Sequence, residues 1–350
     1  MSATPAEQTS GDTGDWEPDL LGPGYTHRTL DLGQDPEGEG RAIATVVRHL
    51  PAGTDQADWR QRPAVLLVHG MTDYFFSTHV AEYLHEAGMA VYAVDLRKCG
   101  RSRRHGQRWH YSENLQHYFP DLSSALDLIT AVHPTVIPNG HSTGGLILPL
   151  WLDHLRRSDP VRHARVGGLI LNSPWLDMMY PRLVVRLARP VLNLLGRRFG
   201  WIPLPGGNLG AYGKSIHREW DFDTAYKPVE GFPKYLAWVR AVLEGQKQIH
   251  DGGVDVSVPV LTLCSTKSWL NRPYTAATDT ADAVLDVEQI QRRAPVLGND
   301  VTVAPIEGAR HDVYLSMQHA REEALQTTVE WLHGHLPPGA SGDVSPTGQF

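Results

Sequence analysis

The chain has 350 residues, 41% of them hydrophobic and 20% charged, and a formal net charge of -7. That length accommodates one large α/β domain with an insertion, or two small domains, around a sizeable core. The acidic balance excludes a polyanion-binding surface, so nucleic acid is not an expected partner.

Residues 1–24 are polar and rich in Gly, Pro, Ser and Thr, and are expected to form a disordered arm. They lack a basic stretch followed by an apolar one, so no signal peptide is expected and the location expected is cytoplasmic. Next comes a candidate strand, RAIATVVRHL. It is followed by PAVLLVHG (63–70), AVYAVDLR (90–97), TVIPNG (135–140), VGGLILNSP (166–174), VPVLTLCS (258–265) and VTVAPIEG (301–308). Most are continuous apolar runs, as in strands covered on both faces. Helical patterns alternate with them: THVAEYLHEAG, DLSSALDLITAVH, GGLILPLWLDHLRR, VEQIQRRAPVLG and ALQTTVEWLHGHL. This order predicts an α/β fold with a mostly parallel, doubly wound sheet. The core is expected over 25–177 and 257–336, with a second disordered tail over 337–350. No apolar run approaches the roughly 18 residues that a membrane span needs. Cys99 and Cys264 lie far apart and lack metal-ligand spacing, which fits a reducing compartment.

Residues 178–256 break the rhythm and are expected to be a helical cap or lid inserted above the sheet. They contain PRLVVRLARPVLNLLGRRFGW, with Leu183, Val184, Leu187, Val191, Leu194 and Leu195 at helical spacing. Arg182, Arg186, Arg189, Arg197 and Arg198 flank these residues, and Pro190 is expected to kink the segment. Three readings stand open: a core-facing helix with solvated arginines, a lid over an apolar pocket, and a helix in weak contact with a membrane surface.

Gly140-His141-Ser142-Thr143-Gly144 is a G-x-S-x-G motif between the strand TVIPN and the helical run GLILPLWLDHL. This strand–turn–helix setting is that of a nucleophile elbow, which makes Ser142 the candidate nucleophile. Acyl transfer also needs donors for a developing oxyanion. The backbone N–H of Thr143 is one candidate. Met71, after the strand-ending His69-Gly70, is the second. A base is expected after the last strand, where VTVAPIEGARHDVYL places His311 among the chain's 18 histidines. His333 and His335 lie inside or after the final helix and fit badly. His69 and His141 are assigned to shaping loops.

In chain order the acid should fall between Ser142 and His311. Ser265, Thr266, Lys267 and Ser268, just after the strand PVLTLC, are not acidic. Asp279, Asp282, Asp286 and Glu288 follow. Asp286 precedes VEQIQRRA and reads as a helix cap. Asp279 and Asp282 remain.

HGM (69–71), VDLRKCGRS (94–102), NGHSTGG (139–145) and GARHD (308–312) resemble motifs of the α/β-hydrolase fold. The resemblance is to its monoacylglycerol lipase and lysophospholipase-like (serine aminopeptidase S33-type) branch, over roughly residues 40–335. In that branch the acid segment reads approximately S-A-D-x-x-x-D, which Thr280-Ala281-Asp282-Ala283-Val284-Leu285-Asp286 matches. The resemblance thus implies Asp282 as the acid, with about a dozen residues inserted before it. A further departure is Lys98-Cys99-Gly100-Arg101-Ser102 where the family has G-H-G-x-S. The implied activity is hydrolysis of a small-molecule acyl ester, monoacylglycerol-like or lysophospholipid-like, through a Ser-His-Asp triad without metal or organic cofactor. A peptidase, a thioesterase, an acyltransferase or a non-catalytic binding protein on the same scaffold are the alternatives.

Overall fold

The structure is a computed structural model that describes residues 16–180, 182–204 and 209–336. Its strands are β1 (Glu17–Pro18), β2 (Tyr25–Gln34), β3 (Arg41–His49), β4 (Ala64–Val68), β5 (Ala90–Asp95), β6 (Val136–His141), β7 (Leu169–Asn172), β8 (Pro203–Leu204), β9 (Lys234–Tyr235), β10 (Val260–Ser265) and β11 (Val301–Ile306). The helices are α1 (Gln56–Gln61), α2 (Thr78–Glu86), α3 (Phe119–Thr130), α4 (Gly144–Ser158), α5 (Pro160–His163), α6 (Arg182–Arg198), α7 (Gly210–His217), α8 (Leu236–His250), α9 (Val287–Arg293) and α10 (Gln318–His335).

One nine-stranded sheet runs in the order β1-β2-β3-β5-β4-β6-β7-β10-β11. From β5 to β11 every pairing is parallel, whereas β1, β2 and β3 add an antiparallel edge. The apolar runs are continuous because alternate residues enter different cores. Ala64, Leu66 and Val68 of β4 face one core with Trp151 and Leu122. Val65 faces the other with Leu84 of α2 and Leu332 of α10. Each large side chain so buried contributes about 1.5–3 kcal/mol.

The edge is fastened by charge as well as by strand pairing. The β2–β3 turn aims Asp35, Glu37 and Glu39 at the buried Lys98 ammonium, at 2.8, 3.0 and 3.1 Å. Asp19 in turn holds Arg101, with both oxygens 2.8 Å from its guanidinium.

Several expectations are corrected. The arm expected over 1–24 ends sooner: residues 1–15 lie outside the described residues, but Glu17–Pro18 pairs with β2 and Asp19 is buried. The strand β2 was not expected, because its mixed apolar and polar side chains are only partly buried. The tail expected over 337–350 lies outside the described residues. The interval 178–256 is not uniform. Trp238, Val242, Leu243 and Ile249 of α8 sink into the main core, so this helix is part of the body of the fold. By contrast, α6 runs continuously through Pro190. Of the three readings, the core-facing one does not hold: the apolar stripe is turned outward, with Leu187 and Leu194 67% and 71% exposed and Leu183, Val184 and Val191 also exposed. Val185 and Leu192, on another stripe, are the residues that pack inward.

Candidate active site

β6 ends at His141 and α4 begins at Gly144, so the chain must reverse at Ser142. It does so with φ of +52° at Ser142, a left-handed conformation unfavourable for a residue with a Cβ. Neighbours hold it there. The Ser142 N–H donates to the Asn172 carbonyl at 3.0 Å, and the Trp175 N–H donates to the Ser142 carbonyl at 3.0 Å. The glycines of the motif are needed for space. A Cβ on Gly144 would lie 2.6 Å from the His69 carbonyl oxygen, and one on Gly140 would lie 2.6 Å from Leu148.

His311 lies between β11 and α10, with Nε2 3.0 Å from Ser142 Oγ. Its Nδ1 is 3.0 Å from Asp282 Oδ2. A carboxylate only accepts, so this contact puts the imidazole proton on Nδ1 and leaves Nε2 as an acceptor for the serine hydroxyl. The other oxygen of Asp282 accepts the N–H groups of Val284 and Leu285, both at 2.8 Å. All three side chains are buried. The loop bearing the histidine is itself held: Asn172 Nδ2 donates to Asp312 at 2.6 Å, and Asn172 Oδ1 accepts the Val313 N–H at 3.1 Å.

The other expected acids go elsewhere. Asp286 caps α9 by accepting the Glu288 N–H. Asp279 accepts the hydroxyls of Ser215 and Tyr274 at 2.6 and 3.0 Å and has no contact with His311. The residues inserted before Asp282 form an excursion closed at its neck. Asp282 N–H donates to the Lys267 carbonyl, Trp269 N–H donates to the Asp282 carbonyl, and Ser268 bridges Asp282 in parallel.

Ser142 and His311 open on a cavity of about 600 Å³ that Met71, Thr143 and His141 also line. His69 is fixed just before Met71: Nε2 accepts the Leu96 N–H at 3.0 Å, so Nδ1 carries the proton and donates to the Gly70 carbonyl. His141 stands with its ring 4.9 Å from that of His311. Next to Met71, Asp73 forms an ion pair of 2.6 Å with Lys227, both side chains being buried. Burial alone would raise the Asp73 pKa; the Lys227 ammonium, together with His141 and His69, outweighs it and holds the carboxyl below its ordinary range. Sequence reading missed Asn172, Asp73 and Lys227. A polar residue ending an apolar strand (LILN) and an acid directly after HGMT were the available signals; Lys227 offered none.

Among the described residues, no group of three or more His, Cys, Asp or Glu side chains is arranged to hold a metal ion. No helix among them is long and apolar enough to cross a membrane. The arrangement can perform nucleophilic substitution at a carbonyl: an activated hydroxyl, a base in line with it and an oriented carboxylate.

The sequence profile of the family described as serine aminopeptidase, S33, matches residues 60–316. A monoacylglycerol lipase of Mycolicibacterium smegmatis is 27% identical over 292 residues, which cover 80% of this chain and 91% of that protein. Among solved structures, the monoacylglycerol lipase of Paleococcus ferrophilus superposes with a TM-score of 0.59 at 20% identity, covering 89% of this chain and 99% of that one. A thermostable carboxyl esterase from Bacillus coagulans does so with a TM-score of 0.60 at 16% identity, covering 88% and 98%. Likenesses at such identities show the fold, and it is the α/β-hydrolase fold.

Proposed function

The chain belongs to the serine aminopeptidase, S33 family, and from that premise we propose that it hydrolyses carboxylic esters of acyl chains, monoacylglycerol-like or lysophospholipid-like, through Ser142, His311 and Asp282. The observation that carries the reading is the line Asp282–His311–Ser142, joined by two 3.0 Å contacts where Ser142 and His311 open on the cavity. The similarity to a monoacylglycerol lipase supports the ester class.

His311 Nε2 takes the hydroxyl proton as Ser142 Oγ attacks the ester carbonyl carbon. The Met71 and Thr143 N–H groups hold the resulting oxyanion, each such donor being worth about 10²–10³ in kcat. Collapse breaks the bond to the alcohol oxygen, which leaves with the proton from His311. Water then gives a proton to His311 and attacks the acyl-serine, releasing the carboxylic acid and restoring the serine. Asp282 orients the imidazole throughout and stabilises its charged form. In this reading the part of 178–256 before α8, which brings Met179, Leu209 and Tyr212 to the cavity, acts as the cap. The outward apolar stripe of α6, set among arginines, suits contact with a lipid surface where such substrates reside.

The test is a chain-length series of p-nitrophenyl esters and monoacylglycerols with the wild type and Ser142→Ala in parallel. Ester turnover that disappears in the variant is expected. Hydrolysis of short amides with no ester turnover would overturn the reading.

A further inference from the structure

We propose that residues 269–281, the excursion between β10 and Asp282, form an acyl-selectivity wall of the cavity, and that Asp279 is the positioning residue that fixes it. The proposal rests on Ser142 being the nucleophile, and it adds a substrate-selecting element with its own anchor.

Leu270, Pro273 and Tyr274 line the same cavity as Ser142 and give the wall an apolar face. Little apolar packing holds them: Leu270 and Tyr274 are only partly buried, and Asn271, Arg272 and Pro273 are exposed. The excursion is therefore placed by polar anchors. One is its neck, where Lys267 and Trp269 pair with the backbone of Asp282. A capping box between Thr275 and Thr278 rigidifies the return limb. Asp279 is an anchor that reaches beyond the excursion, beside the Tyr274 ring, which lies 5.6 Å from the Arg218 guanidinium. It accepts from Tyr274 within the excursion, at 3.0 Å, and from Ser215 of α7, at 2.6 Å. It also lies 3.5 Å from the guanidinium of Arg310, the residue before His311. Arg310 is buried and committed further, to Glu219 at 2.8 and 3.0 Å and to the Leu315 carbonyl at 2.7 Å. One carboxylate thus ties together the wall, the helix that carries Tyr212 and Gly213 into the cavity, and the loop of the base.

Asp282 does not depend on this anchor. Its carboxylate is held by Val284 and Leu285, and its backbone by the neck. Loss of the Asp279 contacts should therefore release the wall, while Arg310 keeps Glu219 and the Leu315 carbonyl and so holds the loop of the base in line. Acyl-chain discrimination falls, and attack on a small electrophile persists.

The experiment measures second-order rates of Ser142 labelling by two fluorophosphonates, one with a methyl and one with a decyl chain. The wild type, Asp279→Ala and Tyr274→Phe are compared, and the melting temperature of each is recorded. Tyr274→Phe removes one hydroxyl and keeps the ring, so it tests the anchor without the folding risk of the first variant. The decyl-to-methyl rate ratio is expected to fall at least about fivefold in Asp279→Ala and in the same direction in Tyr274→Phe, with the methyl rate within about twofold of wild type. A ratio unchanged in both variants, including one in which both rates fall together, would overturn the proposal alone. Failure of wild-type Ser142 to react with either probe would remove the nucleophile reading and the proposal with it.

Discussion

The backbone of Asp282 is clasped by Trp269, whose N–H donates to the Asp282 carbonyl at 2.7 Å across the neck of a long excursion. The residues between Trp269 and Asp282 therefore lengthen the chain after β10 while their two ends stay together. Asp282→Asn is expected to lower kcat by about 10³–10⁴ through loss of the oriented imidazole. Asp286→Ala is expected to cost about 1 kcal/mol of stability through loss of a helix cap, with kcat kept. Steady-state kinetics and urea titration of the two variants check the assignment; equal losses of kcat would refute it.

The Asp73–Lys227 pair supplies the second prediction. Lys227→Met leaves a buried carboxylate without its cation, at an expected cost of about 3 kcal/mol in urea unfolding. The turn carrying Met71 loosens with it, and kcat/KM is expected to fall roughly 10- to 100-fold. Adding Asp73→Asn removes the stranded charge and should recover much of the stability. A double variant no more stable than the single one would show that the pairing is not what holds this turn.

The third prediction concerns acid. Burial pushes the pKa of His110 down to about 3 and that of His49 down to about 4, from an ordinary 6.5. Between those values and 6.5 the unfolded chain binds protons that the folded chain refuses. Stability is therefore fully present above about pH 6.5 and declines as pH falls through that window. For the fully buried His110 the whole effect, reached only below about pH 3, is roughly 5 kcal/mol. His110 has a φ of +43°, which asparagine tolerates. His110→Asn is expected to be less stable at pH 7 through lost packing, yet to lose less stability between pH 7 and 4.5. Thermal melts at both pH values decide; parallel declines would assign the acid sensitivity elsewhere.

The fourth prediction uses the outward stripe of α6. Leu187→Ser with Leu194→Ser should leave turnover of a dissolved short ester unchanged, because both residues are exposed. Turnover of a monoacylglycerol presented in vesicles should fall about fivefold or more as apolar area at the surface is lost. Equal turnover of vesicle substrate by variant and wild type would remove lipid contact from the role of this helix.

What the sequence disclosed depended on how local each signal was. The elbow at Ser142 is a short motif between a strand and a helix, and His311 sits at a strand–helix junction, so both were legible. The spacing after β10 could not single out Asp282, because what places it is a backbone clasp across the inserted residues. Lys227 was invisible because its partner Asp73 is distant in the chain. The parallel strands announced themselves by continuous apolar runs, whereas β2, half-buried at the edge, did not. In α6 periodicity revealed an apolar face and could not say what that face meets. The same limit hid the burial of α8, whose Trp238 and Ile249 lie in a stretch that composition marked as an insertion.

The Lys98 cluster bears on where the autonomous folding unit begins. Similarity to the family starts at residue 60, yet the counter-charges of a fully buried ammonium come from Asp35, Glu37 and Glu39. A polypeptide starting at residue 60 would keep the cation and discard every one of these acids. It is expected to yield around Lys98 under limited proteolysis, because a buried charge stripped of its partners is among the costliest defects a core can carry. The family profile begins at residue 60; the ion cluster marks how much more chain this protein needs to fold by itself.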